Sequence, residues 1–279
     1  MMKMNGIKLK QILISLVTIA LAAAFLSPLY VVVVNAFKTP METAESVLGL
    51  PKALHWENFA KAIEVTNFWV SLKNSVIVTV SSVVLIILCA SMAGYVICRN
   101  SKKRVYRALD ILLMSGMMIS FQFIMIPAYR MLKNMGLLNT YAGAVIFMVG
   151  TSVSYATFLY AGFVKTLPIA LEEAAMIDGC GPFKTFWLIV FPLMKPITST
   201  VAALEMLWMW NEFNIALIVL QKKEMRTIPM QQFYFFGQHV SNMNQAFAAA
   251  TVSLIPVIVF FFLTQKNIAG GITAGSVKG

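Results

Sequence analysis

The 279 residues are 59% hydrophobic and only 12% charged, with a mean hydropathy of +0.78. That is more apolar surface than one soluble core can hide, so the chain reads as an integral membrane protein. A net charge of +11 does not point to nucleic acid, because the basic residues are scattered through short stretches between apolar runs and no aromatic-basic recognition module occurs.

Apolar runs long enough to cross a bilayer fall near 11–34, 73–98, 108–130, 139–163, 190–211 and 246–265. They predict an all-α integral membrane protein, six transmembrane helices in one permeation-scale domain over 1–279. The first run follows Lys3, Lys8 and Lys10 but extends through VVVV at 31–34 with no small-residue cleavage pattern, so it reads as a retained helix. In the next connection HWENFAKAI sets Trp56, Phe59 and Ile63 at near-helical spacing, predicting a short amphipathic helix that caps the others. Pro127 and Pro256 are expected to kink their spans. Cys89, Cys98 and Cys180 suggest no disulfide framework and read as reduced, structural thiols.

Lysine and arginine counted by loop set the orientation. With the N-terminus inside, thirteen fall on the cytoplasmic side and nine outside, and RNSKKRVYR at 99–107 packs five charges into nine residues. Both termini are therefore predicted to be cytoplasmic, in a bacterial-type plasma membrane. The basic run reads as the signal that fixes topology beside anionic headgroups.

In the second cytoplasmic loop lies EEAAMIDGCG, residues 172–181. From Pro168 to Asp178 the residues favour helix, and Gly179 stands where a left-handed cap would end it. The helix is placed at about 168–179, and its eleven or so residues up to Asp178 make about 16 Å at 1.5 Å per residue, too short to cross the roughly 30 Å hydrocarbon layer. So short a helix is marginal alone and needs something to pack against. Ala174 and Ala175 allow a close approach, Met176 and Ile177 offer apolar surface, and Glu172 and Glu173 could meet basic groups on a partner. The other reading packs this helix only on its own bundle.

Glu173-Ala174-Ala175, three residues, Gly179, nine residues, Ile189, two residues and Pro192 resembles the EAA signature of permease subunits in ABC importers. Phe191 stands where that family usually has leucine. The WNEF at 210–213 and the tail GITAGSVKG resemble the smaller permease subunit of the maltose transporter and its carbohydrate-importer relatives. The resemblance implies that 172–179 is a coupling helix seated in a cytoplasmic ATPase. It also implies that the tail, with Gly271, Thr273, Gly275, Lys278 and Gly279, reaches the ATPase dimer, and that Gln238, His239, Asn242 and Asn244 approach an extracellular solute-binding protein. The implied partners are a second permease subunit, two ATPase subunits and that binding protein. No cofactor is expected in this chain: ATP and Mg would be bound by the ATPase subunits. In agreement, no G-x-x-x-x-G-K-[ST] phosphate loop occurs, and GCGPFKT has the wrong spacing.

Glu205 lies within an apolar run, where a carboxylate is expected to face the bundle interior or water. Trp208, Trp210, Asn211 and Glu212 combine flat apolar faces with hydrogen-bonding edges suited to sugar rings, which makes the group a candidate substrate path. The interfacial anchoring role of tryptophan near span ends is the competing and favoured reading. The leading expectation is the permease of an ATP-driven carbohydrate importer. The alternative is an ion-gradient-driven secondary transporter using Glu205, which would leave EEAAMIDGCG unexplained and show no clear repeat. A membrane enzyme using Glu205 or Asp110 lacks any partner residue.

Overall fold

A computed structural model describes residues 2–238 and 243–276, with side chains described outside 2–10, 234, 236, 238, 261 and 263–276. The described residues are helical, with no strand among them. In chain order the helices are α1 (Met2–Ala36), α2 (Pro40–Glu45), α3 (Glu57–Val65), α4 (Phe68–Arg99), α5 (Arg104–Gly116), α6 (Phe121–Asn134) and α7 (Tyr141–Val164). They continue as α8 (Ala170–Ile177), α9 (Pro182–Thr185), a π-helical turn (Phe186–Val190), α10 (Phe191–Leu193), α11 (Lys195–Asn211), α12 (Asn214–Val219), α13 (Ile228–Gln238) and α14 (Met243–Ser276). The chain divides into two compact units, Met1–Phe68 with Gln232–Ile255 and Trp69–Gln231 with Pro256–Gly279.

Gln11–Ala36, Phe68–Arg99, Tyr141–Val164 and Met243–Phe260 are each long and apolar enough to cross a membrane. The other two predicted spans are broken. Arg104–Gly116 and Phe121–Asn134 meet at 104°, and Pro182–Leu193 and Lys195–Asn211 at 75°. Pro127 sits inside α6, and the sharp change of direction in this pair comes before it, at Met117–Ser120. Met117, Met118 and Ile119 keep the hydropathy high across the turn, so an apolar window sees one span. In the second pair the bend lies at Met194, between Pro192 and Pro196. Pro196 lacks the N–H that would bond the carbonyl of Pro192, and the preceding turn is already widened to π geometry.

In the first unit, Ala36, Ala62, Ala248 and Ala249 form a small-residue core with Phe59 and Phe247 against it. The predicted amphipathic helix is α3: Phe59 and Ala62 pack inward, and Phe37, Trp56 and Phe59 stack within 5.7 Å of one another. The segment after α1 is held by side chains. The Asn58 amide donates to the carbonyls of Ala36 and Lys38, each at 2.9 Å, and the buried Lys38 ammonium donates to Ser46 at 2.9 Å. Thr39 and Glu42 form a capping box that starts α2.

The second unit is organised around α7, which packs against α5, α6, α11 and α12. Its closest neighbour at one point is α4, where a Cβ placed on Gly94 would lie 2.8 Å from Tyr160 Cβ and 2.9 Å from the Ala161 nitrogen. Only glycine lets the two backbones come this near. At the other end of α4, Asn74 donates to the carbonyls of Glu224 and Arg226 and accepts from Tyr141, and Ser75 accepts from the Ile228 amide. These bonds fix the segment leading into α13. We predict that Gly94→Leu lowers stability by about 1–3 kcal/mol or more through overpacking, whereas Gly150→Ala, with open space around its Cβ position, is near neutral. Thermal unfolding of the two purified variants checks this, and equal melting would refute the close-approach assignment.

Candidate functional site

The site is the end of α4 that carries Arg99, together with α8. Glu172 and Ala175 are one turn apart on α8, and the helix turns both inward while leaving Leu171, Glu173, Ala174, Met176 and Ile177 exposed. Gly179 follows at φ +80°, the left-handed residue that stops the helix, with the Cys180 amide bonded back to the Ala175 carbonyl at 2.9 Å. The exposed tip is apolar: Ile177 is 87% accessible, and Met176 and Phe183 are also largely open.

Glu172 is the anchor. Only 6% exposed, its carboxylate accepts from Arg99 Nη2 at 2.6 Å and Nε at 2.8 Å through one oxygen, and from the Tyr95 hydroxyl at 2.9 Å through the other. Arg99 Nη2 also donates to the Leu167 carbonyl at 3.1 Å, one of the last carbonyls before α8. The Tyr95 ring in turn lies 5.3 Å from that of Phe186, the first residue of the π turn. Two residues one helical turn apart on α4 thus hold both α8 and the start of the path toward α11.

This corrects the expectation that both carboxylates of the segment face a partner. Glu172 is consumed within the chain because it lies on the same side of α8 as Ala175 and faces α4, whereas Glu173 is displaced by about 100° and faces outward. Ala175 is likewise buried in its own unit, so the close approach it permits is intramolecular. Arg99 and Tyr95 were missed by sequence reasoning: Arg99 read as one of five topology-setting charges, and the partner 73 positions away gave no local signal.

The remaining candidates do not converge. Glu205 on α11 is 2% exposed, with its Oε2 unpartnered. Trp208 is exposed, and Trp210 lines an apolar cleft of about 260 Å³ with Thr79, Met206 and Phe260. Asn211 bonds the Leu207 carbonyl of its own helix, and Glu212 accepts from the Ile215 amide at 3.0 Å, capping α12. The structure does not gather the five into one polar cleft.

Asn244 requires a second correction. It is 1% exposed in the first unit, where its amide donates to the Asn35 carbonyl at 2.8 Å and Thr43 Oγ1 at 2.7 Å, so it offers no surface to a binding protein. The side chain of Gln238 and the residues His239 and Asn242 lie outside the described set, as do Lys278 and Gly279. Gly271, Thr273 and Gly275 continue the backbone of α14.

Residues 82–273 match the family of binding-protein-dependent transport system inner membrane components. The chain belongs to this family. It is similar to the probable starch degradation products transport system permease protein AmyC of Thermoanaerobacterium thermosulfurigenes, at 35% identity over 99% of this chain and 100% of the relative. It is also 34% identical to the melibiose/raffinose/stachyose import permease protein MelC of Bacillus subtilis, over 96% of each chain. Among solved structures, a bacterial ABC transporter involved in the import of the acidic polysaccharide alginate contains a chain with the same fold, at a TM-score of 0.78 and 22% identity, covering 93% of this chain and 96% of that one. The family member described here is a multi-pass membrane permease subunit, a non-catalytic component of an ATP-driven transport system. The ion-gradient alternative has no support from these comparisons.

Replacing Arg99 by methionine is expected to destabilise the purified assembly by about 3 kcal/mol, because it strands a buried carboxylate. Tyr95→Phe removes one hydrogen bond to a charged group and should cost about 1.5–3 kcal/mol. The double variant Arg99→Met with Glu172→Met should recover much of the loss, read as a non-additive double-mutant cycle. Additive losses would show that the pair does not act as a unit.

Proposed function

We propose that this permease subunit imports a sugar or oligosaccharide, pairing with a second permease subunit to form the path and receiving substrate from an extracellular solute-binding protein. Support for the substrate class comes from relatives spanning nearly the whole chain whose names specify starch degradation products and melibiose, raffinose and stachyose. In this reading two cytoplasmic ATPase subunits bind ATP and Mg, and both chain termini are cytoplasmic.

The observation that carries the coupling role is the exposed apolar tip of α8 on a buried ionic anchor. Met176, Ile177 and Phe183 form a surface that water does not favour, while Glu172 ties the same helix rigidly to α4. An ATPase that seats Ala174, Met176 and Ile177, with Glu173 and Asp178 at the rim, would deliver its closing motion through Arg99 to α4. Gly179 allows the chain to turn away directly after the docked helix. Residues 271–279 are assigned to a further ATPase contact. The geometry does not carry a substrate contact through Trp208 and Trp210, since Trp208 is exposed and Trp210 lines an apolar cleft.

The assembled transporter in proteoliposomes, supplied with its binding protein and radiolabelled raffinose and maltotriose in turn, tests this. Uptake of at least one should follow internal ATP and persist when ionophores collapse ion gradients. Ile177→Asp and Gly179→Val should each reduce uptake about tenfold or more while ATP hydrolysis continues, since a charge in the docking surface or a β-branched residue at positive φ disturbs the seat. Uptake that follows an ion gradient, or full transport by both variants, would overturn the proposal.

A further inference from the structure

The basic turn between α4 and α5 is more than a topology signal, because it lines a cavity. Ile97, Ser101, Lys102, Tyr106, Arg107 and Asp110 enclose a cleft of about 290 Å³. Among the described residues the ion pairs are Lys52–Glu45, His55–Glu57 and Arg99–Glu172, so the charges lining this cleft enter none of them. Beside the cleft, α5 begins at Arg104 without a side-chain cap, and Lys103 is held over the Tyr106 ring at 5.8 Å. The first amides of α5 and two further basic side chains, Lys103 and Arg104, therefore raise the local positive potential.

Directly along α5 from this turn, Val105, Leu109 and Leu112 are exposed. A basic, headgroup-sized cleft opening beside a strip of bare apolar side chains is the complement of a phospholipid, whose phosphate and acyl chains are likewise adjacent. A soluble polyphosphate fits less well, since the Asp110 carboxylate in the lining repels a multiply charged anion and the apolar strip gives such a ligand nothing. A phosphodiester carries one negative charge, and the hydroxyl or ammonium beyond it can donate to Asp110.

We propose that this cleft binds the phosphodiester headgroup of a membrane lipid, with Lys102 and Arg107 on the phosphate, Ser101 and Tyr106 donating to its remaining oxygens, and Asp110 accepting from the headgroup alcohol or amine. The same end of α4 holds Glu172 through Arg99, so the lipid sits within one helical turn of the clamp on α8.

The test is native mass spectrometry of the intact assembly titrated with phosphatidylglycerol. Lys102→Gln and Arg107→Gln should each weaken retention of the lipid by about fivefold, and together by about twentyfold. The charge-keeping pair Lys102→Arg with Arg107→Lys, and the distant Lys133→Gln, should retain it. Inorganic phosphate and glycerol phosphate in excess should not displace the lipid. Equal retention by wild type and the glutamine variants would overturn the proposal, and displacement by inorganic phosphate would overturn the lipid assignment in favour of a soluble anion. Should the double variant fail to assemble, the two single variants decide the matter by the same comparison.

Discussion

The ion pair between Arg99 and Glu172 is the constraint on which the α8 end of the second unit depends. An eight-residue helix is too short to hold itself in water, and α8 gains its fixed position from two donors on α4 rather than from a hydrophobic face, since its apolar tip points outward. Sequestering a carboxylate this far from water costs several kcal/mol unless it is paired and hydrogen-bonded. Here one oxygen is shared by two guanidinium nitrogens and the other is held by Tyr95, so the group is satisfied. The charge becomes a strut instead of a liability.

The same accounting governs the polar residues elsewhere in an otherwise apolar chain. Asn35, Asn58 and Asn244 in the first unit, and Asn74 and Asn139 in the second, each send a side-chain amide group to backbone carbonyls or amides at the ends of helices and in the loops beyond them. Groups at helix ends have no intrahelical partner, and lipid supplies none. Asparagine is short enough to reach a neighbouring turn and carries both a donor and an acceptor, which is why it recurs at these positions. Lys38 serves in the same way with its ammonium.

Hydropathy made the number and approximate position of the apolar helices legible, because length and composition are local properties. It missed the breaks at Met117–Ser120 and Met194, where the apolar character continues through a change of direction. The helix of EEAAMIDGCG and its stop at Gly179 were legible too, since propensity and a left-handed cap are encoded within a few residues. What the sequence left undivided was which glutamate works inward. Glu172 and Glu173 differ by one position and by 100° around the helix, and the deciding residue, Arg99, lies on another element. Asn244, turned toward a binding protein by the resemblance, works inward for the same reason: the carbonyl it serves, at Asn35, lies on another element.

The contacts of α7 differ in what it would take to move them. Against α4 the backbones are in direct contact at Gly94, and sliding there would drive Tyr160 and Ala161 into main-chain atoms. Against α11 the contacts include the hydrogen bond of Tyr160 to Thr198 at 3.1 Å, and the buried Glu205 carboxyl of α11 keeps its Oε2 without a partner in the protein. Side-chain hydrogen bonds can be exchanged for others at a net cost of about 1 kcal/mol each, whereas a backbone clash cannot be relieved by any rotamer. In the proposed coupling role, a displacement entering at α8 reaches α4 through Arg99 and meets α7 at the Gly94 contact. The π turn, Pro192 and the bend at Met194 interrupt the helical ladder between α8 and α11. Relative motion within the unit is thus cheapest between α11 and the α4–α7 pair, along the interface that carries the buried Glu205.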